Sequence, residues 1–521
     1  MRILIFIPLV FSLSNLLAQP GTLDPSFDLD GLVQIDFNGG GDFIGKILPQ
    51  EDGSILVLGE SYDVDDNSQL VMSRLLGNGS IDESFADQGY RYIPLDKPSA
   101  QIRDAQQLPD GSIIIGGGLG DWVPFQTFFL AKISAEGILD SNFGNNGVIN
   151  EEYLSSGSRA TNILLEGNEH FIVSRTGIFG NPLVRYDLQG NIDESFGIDG
   201  LAIFDPEDLA YPWRLRMLSD GSIIAGGTEF YTGGIFNGKM LIKRFSEDGV
   251  ADFSFGVNGS IYTDFGLPGA ILNDICVLPD DRFLVVYTEG GTNVRHGGVA
   301  RFLPSGILDE TFGVNGIAKL PLGAGVSGLG TNPRSVAYDN NEHIFVVGSD
   351  GDFITSDAYV AKFSSAGILD VDFGDNGFAY TDFGYGGDPE VGGFIQIMED
   401  QRILIGGVAI GDQSADFTLA MFLNTDTSNS EESTFPQGKL TLSPNPASEQ
   451  IFITGISRSD DPILLSIFNA QGGLSLRKDI TWSVVDQHTD LSIDIAGLPP
   501  GVYWLVLENS QEQQTETFIV K

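Results

Sequence analysis

"GILDSNFGNNG", residues 137–147, decides the fold because the chain repeats it. "GNIDESFGIDG" stands at 190–200, "GILDETFGVNG" at 306–316 and "GILDVDFGDNG" at 367–377. Looser copies begin at Gly21, Gly79 and Gly249, and the seven starts lie 58, 58, 53, 59, 57 and 61 residues apart. A period of this length marks an array of one supersecondary unit whose faces are buried by its neighbours.

Each period carries the same strand signals. "LPDGSIIIGGG" (108–118) and "LSDGSIIAGGT" (218–228) read as hairpins whose Asp-Gly pair accepts the positive φ of a tight turn. The run after Asp-Gly is apolar on both faces, as a strand between packed sheets must be. The strand after the loop, such as "LVQIDF" (32–37) or "FAYTDF" (378–383), alternates with period two and is taken as the first of its unit. Helical periodicity is absent. The expectation is an all-β chain, a seven-bladed β-propeller followed by a small immunoglobulin-like β-sandwich. A β-solenoid is the alternative, but its repeats are usually shorter and it needs capping units that are not visible here.

Within the loop, Asp140 accepts backbone N–H groups in an Asx-type turn, Phe143 is the apolar wedge between blades, and Gly147 supplies a special backbone angle. The same roles fall to Asp193, Phe196 and Gly200, to Asp309, Phe312 and Gly316, and to Asp370, Phe373 and Gly377. The loop is expected to be a structural joint. One calcium per loop is the functional alternative, although a hard cation wants six or more oxygens and each loop offers one or two carboxylates.

The 521 residues carry 71 acidic against 27 basic side chains, a formal charge of −44. No basic footprint for nucleic acid is present, and an anionic membrane surface would repel the folded chain. Cys276 is the single cysteine and has no catalytic partner nearby in sequence, so it is expected to be a packed thiol. Residues 1–19, "MRILIFIPLVFSLSNLLAQ", have the basic start, apolar core and small residue of a secretory signal peptide.

Other motifs are weak. Gly323, Gly325 and Gly328 match G-x-G-x-x-G without a βαβ context. Asp63, Asp65 and Asn67 have calcium-loop spacing but lack the glycine and glutamate that complete such a loop. His170 and His343 recur in Asn-Glu-His, at equivalent hairpin tips three units apart. No cofactor is evident, calcium remaining the one candidate, and no catalytic constellation is visible. A non-enzymatic role is therefore expected, with a secreted polysaccharide-active enzyme as the alternative.

Strand alternation puts the repeated loop and the Asp-Gly turn on one face of the ring. The connections that vary in length and content fall on the other, and they carry Trp122, Tyr211, Trp213, Tyr231 and Tyr385. Exposed aromatics beside carboxylates suit stacking on sugars, so this face is expected to bind an extracellular glycan or protein.

The pattern G-x-[LI]-D-x-x-F-G-x-[ND]-G over residues 20–423 resembles the delta-60 repeat family of exported bacterial proteins. That resemblance implies a propeller-like repeat and no known activity. Asp28, Ala86 and Ala251 depart from the pattern. Residues 424–438 read as a polar linker. In residues 439–521, "LSPNPASEQIFI", "LSIFNAQGG", "LSIDIAGLPPGVYWLVL" and "ETFIVK" resemble, in order, the C-terminal sorting domain of type IX secretion substrates. By that resemblance Pro444, Asn445 and Pro446 form the opening turn, and Asn469, Gly472 and Gly473 a hairpin. Gly501 and Tyr503 begin the core strand and Lys521 ends the signal. Where Gly473 stands, Arg or Lys is usual. The family implies handling by the type IX machinery, passage through the periplasm, and a secreted or cell-surface product.

Overall fold

The computed structural model describes residues 19–521 except 38, 64–66, 96–98, 121–126, 152–157, 178, 206–209, 231–237, 264, 266–268, 291–294, 322–330, 352–355, 382–389, 411–414, 425–440, 444–449, 455–462, 470–473, 481–490 and 509–512. The signal-peptide stretch 1–18 thus lies outside the described residues. Asn424 ends one compact unit and Thr425 begins another.

Seven four-stranded antiparallel sheets make the first unit a seven-bladed propeller. In the first blade the strands run, from the central channel outward, Asp42–Pro49, Ile55–Tyr62, Ser68–Leu75 and Tyr90–Ile93. This corrects the phase expected from sequence. The strand after the repeated loop does not open a unit but closes the blade before it, because Tyr90–Ile93 pairs with the third strand through Ser73↔Tyr90 and Leu70↔Ile93. The loop therefore joins the third and fourth strands of one blade. The ring shuts when the N-terminal strand Leu32–Ile35 becomes the outermost strand of blade seven, in register Leu32↔Ala420 to Ile35↔Phe417.

Core packing follows from the strand patterns. Ile113, Ile114 and Ile115 are all fully buried because both faces of their sheet meet other blades. Leu56, Met72, Ile102, Ile113 and Phe129 form one apolar cluster across blades one and two. Val33, Ile47, Val57, Leu404 and Phe417 form another across the closing junction. Burying each such side chain stabilises the fold by about 1.5–3 kcal/mol.

The Asp-Gly hairpins are wider than expected. In the turn of the first blade only Gly53 takes a positive φ, 81°, and Gly53 N–H bonds Gln50 O while Gln50 N–H bonds Ser54 O. Asp52 Oδ1 accepts the N–H and hydroxyl of Ser54 and braces the turn. Asp281, Glu342 and Gln401 adopt the same left-handed conformation in blades that lack the glycine.

The second unit has two antiparallel sheets. Thr441–Ser443, Gln450–Thr454 and Leu491–Asp494 form one; Ile463–Asn469, Leu474–Ile480, Gly501–Glu508 and Gln513–Val520 form the other. Gly501 opens its strand opposite Val520, and Asn469 lies opposite Tyr503. Tyr503 is buried and donates its hydroxyl to Pro499 O at 2.8 Å, while Lys521 is exposed. Pro444, Asn445, Pro446, Gly472 and Gly473 lie outside the described residues.

Candidate functional site

Two constellations contain most of the polar chemistry: the ring of repeated loops and the central channel. In the loop ring, Asp140 Oδ1 accepts the Asn142 N–H and Gly147 N–H bonds Phe143 O. Six of the seven loops then reach the next copy, the loop around Ala86 being the exception. Gly144 N–H donates to Gln189 O at 3.0 Å, Gly197 to Asp248 at 2.7 Å, Gly256 to Ser305 at 2.8 Å and Gly313 to Ala366 at 2.8 Å. Phe143, Phe196, Phe312 and Phe373 are wholly buried beneath the first glycine of the following copy. In copies without the second glycine, Asp28 and Ala86 hold the same left-handed angle, φ 46° and 48°.

One partner of the loop was not anticipated from sequence. A cation eight residues before each loop aspartate pairs with it: Arg74–Asp82, Lys132–Asp140, Arg185–Asp193, Arg244–Asp252, Arg301–Asp309 and Lys362–Asp370. In the copy at the ring closure Arg402 takes this place, 2.8 Å from Asp24. Arg301 also lies 4.7 Å above the Phe312 ring and donates to Ser365 O in the next blade. The loop carboxylates are thus engaged by the fold. The signal was present as a Lys or Arg at constant spacing, but a charged residue on a half-exposed strand reads as solvated surface.

The channel is built from the seven inner strands, each with a β-bulge at the same point: between Ile44 and Lys46, Ile102 and Asp104, Ala160 and Asn162, Pro212 and Arg214, Leu272 and Asp274, Pro333 and Ser335, and Gly392 and Phe394. A bulge removes a residue from the ladder and re-aims its side chain. The residue just past the bulge bonds the neighbouring strand. Asp104 accepts the Ile163 N–H at 2.9 Å, Asn162 Oδ1 the Leu215 N–H at 2.7 Å, and Asp274 the Val336 N–H at 3.2 Å. Lys46 pairs with Asp104 at 2.8 Å, and Arg214 and Arg216 with Asp274 at 3.1 and 2.8 Å. Burial would raise the Asp274 carboxyl, but Arg216 and Arg214 hold it below the usual range.

A cavity of about 460 Å³ opens here, lined by all seven blades, with Lys46, Arg103, Arg214 and Arg216 against Asp104 and Asp274. Further cations flank it. Burial and the nearby Arg103 lower the pKa of Arg159; burial, Arg295 and Arg214 lower that of Arg334. Arg103, Arg159 and Arg334 form no ion pair among the described residues. A second cleft of about 620 Å³ shares Leu165 with this cavity and is lined by turn residues such as Glu51, Asp52 and Asp110 beside Arg74, the partner of Asp82.

The aromatic candidates separate. Tyr211 is 37 % exposed, at the start of the fourth inner strand, close enough to influence Arg159. Trp213 is the bulge residue of that strand. It is half-buried and donates Nε1–H to Leu272 O at 2.9 Å, stitching blade four to blade five. Trp122, Tyr231 and Tyr385 lie outside the described residues, as do Asp65 and the Gly323–Gly328 motif. Asp63 is bonded by Asn67 through its N–H and amide. His343 contacts Asp339 at 3.0 Å at its hairpin, and burial pushes the Cys276 thiol up to about 11.

Residues 441–521 match a secretion system C-terminal sorting domain, and residues 50–85 match a beta-propeller domain of unknown function. No curated protein matches the chain in sequence. Among solved structures, the chain is similar to a PL25 ulvan lyase bound to -[GlcA(1-4)Rha3S]-, with 9 % identity, TM-score 0.43, and coverage of 74 % of this chain and 97 % of the lyase. It is similar to Drosophila plexin A in complex with semaphorin 1b at 10 % identity and TM-score 0.37, covering 78 % and 88 % of the two chains. A PQQ-bound aldose sugar dehydrogenase from Streptomyces coelicolor gives 12 % identity and TM-score 0.35, covering 78 % and 100 %. Among the described residues no helix is long and apolar enough to cross a membrane.

Proposed function

We propose that this seven-bladed propeller, exported on its type IX sorting domain, is a binding scaffold for an acidic glycan, carrying carboxylate or sulfate groups, held at the mouth of its central channel. The observation that carries the proposal is the charge distribution. In a chain of net charge −44, the channel gathers four cations against two carboxylates. Arg159 and Arg334 add two more guanidinium groups, and these two and Arg103 form no ion pair among the described residues. Guanidinium forks bind carboxylate and sulfate oxygens in paired geometry, and partial burial strengthens them. The acidic remainder of the surface repels an anion and favours this basic opening. Tyr211 beside Arg159 adds an exposed ring on which a sugar can stack.

The test is retention on glycan arrays that pair neutral with sulfated or carboxylated chains. Binding is expected for the acidic members, with affinity falling as salt rises. It should weaken at least tenfold in an Arg103→Ala, Arg159→Ala double variant. Equal retention of neutral chains, or an unchanged double variant, would overturn the proposal. Cleavage of a retained polysaccharide would make the channel a catalytic one.

A further inference from the structure

The ring closure brings three carboxylates together, one of which, Asp416, also accepts a hydrogen bond from the Gln34 amide. Asp36 follows the closing strand Leu32–Ile35, whose register runs from Leu32↔Ala420 to Ile35↔Phe417, so Asp36 falls opposite Asp416. Like charges facing each other across a strand pair oppose pairing. Asp42 begins the inner strand of blade one, and ligand oxygens of all three residues lie within 4.8 Å of one another. Neither Asp36 nor Asp42 forms an ion pair among the described residues.

Asp42 is the decisive member. It is fully buried, its Oδ2 accepts the Phe37 N–H at 3.0 Å, and its Oδ1 is buried with no hydrogen-bond partner. Three residues before the bulge, where Asp42 stands, the next five inner strands carry the small buried residues Ala100, Ser158, Ala210, Ala270 and Thr331. Blade seven carries a carboxylate at the same position, Glu390, but those five blades do not.

We propose that Asp36, Asp42 and Asp416 bind a calcium ion that clasps blade seven to blade one. Each of the three carboxylates brings one oxygen to the cluster, the donor type a hard cation takes, and water would complete the shell. An ion there would turn the facing Asp36–Asp416 pair from repulsive to bridging and would satisfy the orphan Oδ1. It would act where the ring is held by a strand from the far end of the chain.

The full chain, stripped with EDTA, is titrated with calcium chloride by calorimetry and followed by thermal unfolding. Binding of one ion is expected, with Tm rising by several degrees at about 100 times the Kd. Asp42→Asn and Asp416→Asn should abolish both signals, whereas Asp63→Asn should leave them unchanged. Without metal, Asp42→Asn should unfold at a higher temperature than the stripped parent, since it removes buried charge. That separates loss of the ion from loss of the fold. Failure of the parent to bind calcium, or unchanged binding in the Asp42 and Asp416 variants, would overturn the proposal.

Discussion

The amide of Gly374 donates to the carbonyl oxygen of Pro20 at 2.9 Å, tying the last copy of the loop to the first. The same bond links other neighbouring copies, but here it joins residues from opposite ends of the propeller. Gly21 lies against it, and a Cβ there would stand 2.6 Å from the Gly374 nitrogen.

Gly21→Ala is therefore expected to cost roughly 3–5 kcal/mol, combining left-handed backbone strain with a forced separation of the closing loops. Gly53→Ala is the control. Gly53 has a similar φ, +81° against +83°, but a Cβ there meets nothing within 4 Å. Its cost should be only about 1–2 kcal/mol. Urea unfolding of both variants measures the difference, which isolates the contact from the dihedral.

The loop aspartates predict acid sensitivity. Burial works against ionised Asp309, but the Thr311 hydroxyl and N–H, followed by Arg301, more than offset it and hold the carboxyl at about 2. A carboxyl depressed in the folded state contributes stability above its unfolded pKa and loses it as pH falls through the folded value. Asp309 should contribute about 2 kcal/mol at neutral pH, lost between about pH 4 and 2. Asp309→Asn should flatten that part of the profile and lower stability at pH 7, as read by urea midpoints across the range.

Glu60 predicts the opposite slope. Desolvation pushes its carboxyl up to about 8, although the Ile102 N–H donates to it at 2.6 Å and Arg103 draws it down. The folded state therefore holds this proton more tightly than the unfolded chain. Stability should fall as pH rises from the unfolded value near 4.5 towards 8, by a few kcal/mol in order of magnitude. Glu60→Gln keeps an acceptor for Ile102 and removes the titration. It should match the parent near pH 4.5 and exceed it at pH 8 in the same unfolding series.

What could be read from sequence was what recurs. Asp140, Phe143 and Gly147 stand out because equivalent residues return at nearly constant intervals. Their cation partners also recur, eight residues earlier, yet a lone Lys132 or Arg185 on a strand carries no mark of its pairing. Blade phase was misplaced because a strand after a loop can pair backwards or forwards, and only the Ser73↔Tyr90 register decides. The channel was invisible for a different reason. Its cations stand at bulge-related positions that change identity from blade to blade, so Arg103, Trp213 and Arg334 share a place but no motif. Asp36, Asp42 and Asp416 come together only when the ring closes.

The last prediction separates folding from export. Asn424 is buried and its amide donates to Asp339 at 3.1 Å, while Leu423 exchanges backbone bonds with Gly21 and Thr22. A chain ending at Asn424 keeps every one of these contacts and loses only the second unit, whose residues 441–521 match the sorting domain. It should unfold at the propeller's normal midpoint yet accumulate in the periplasm when expressed in a host with type IX secretion. A chain ending at Phe422 loses the bonds of Leu423 and Asn424 and should be less stable by roughly 1–3 kcal/mol. Fractionation and immunoblotting locate both products, and urea unfolding ranks them. Export of the Asn424 product at the parental level would show that the sorting domain is dispensable for this propeller.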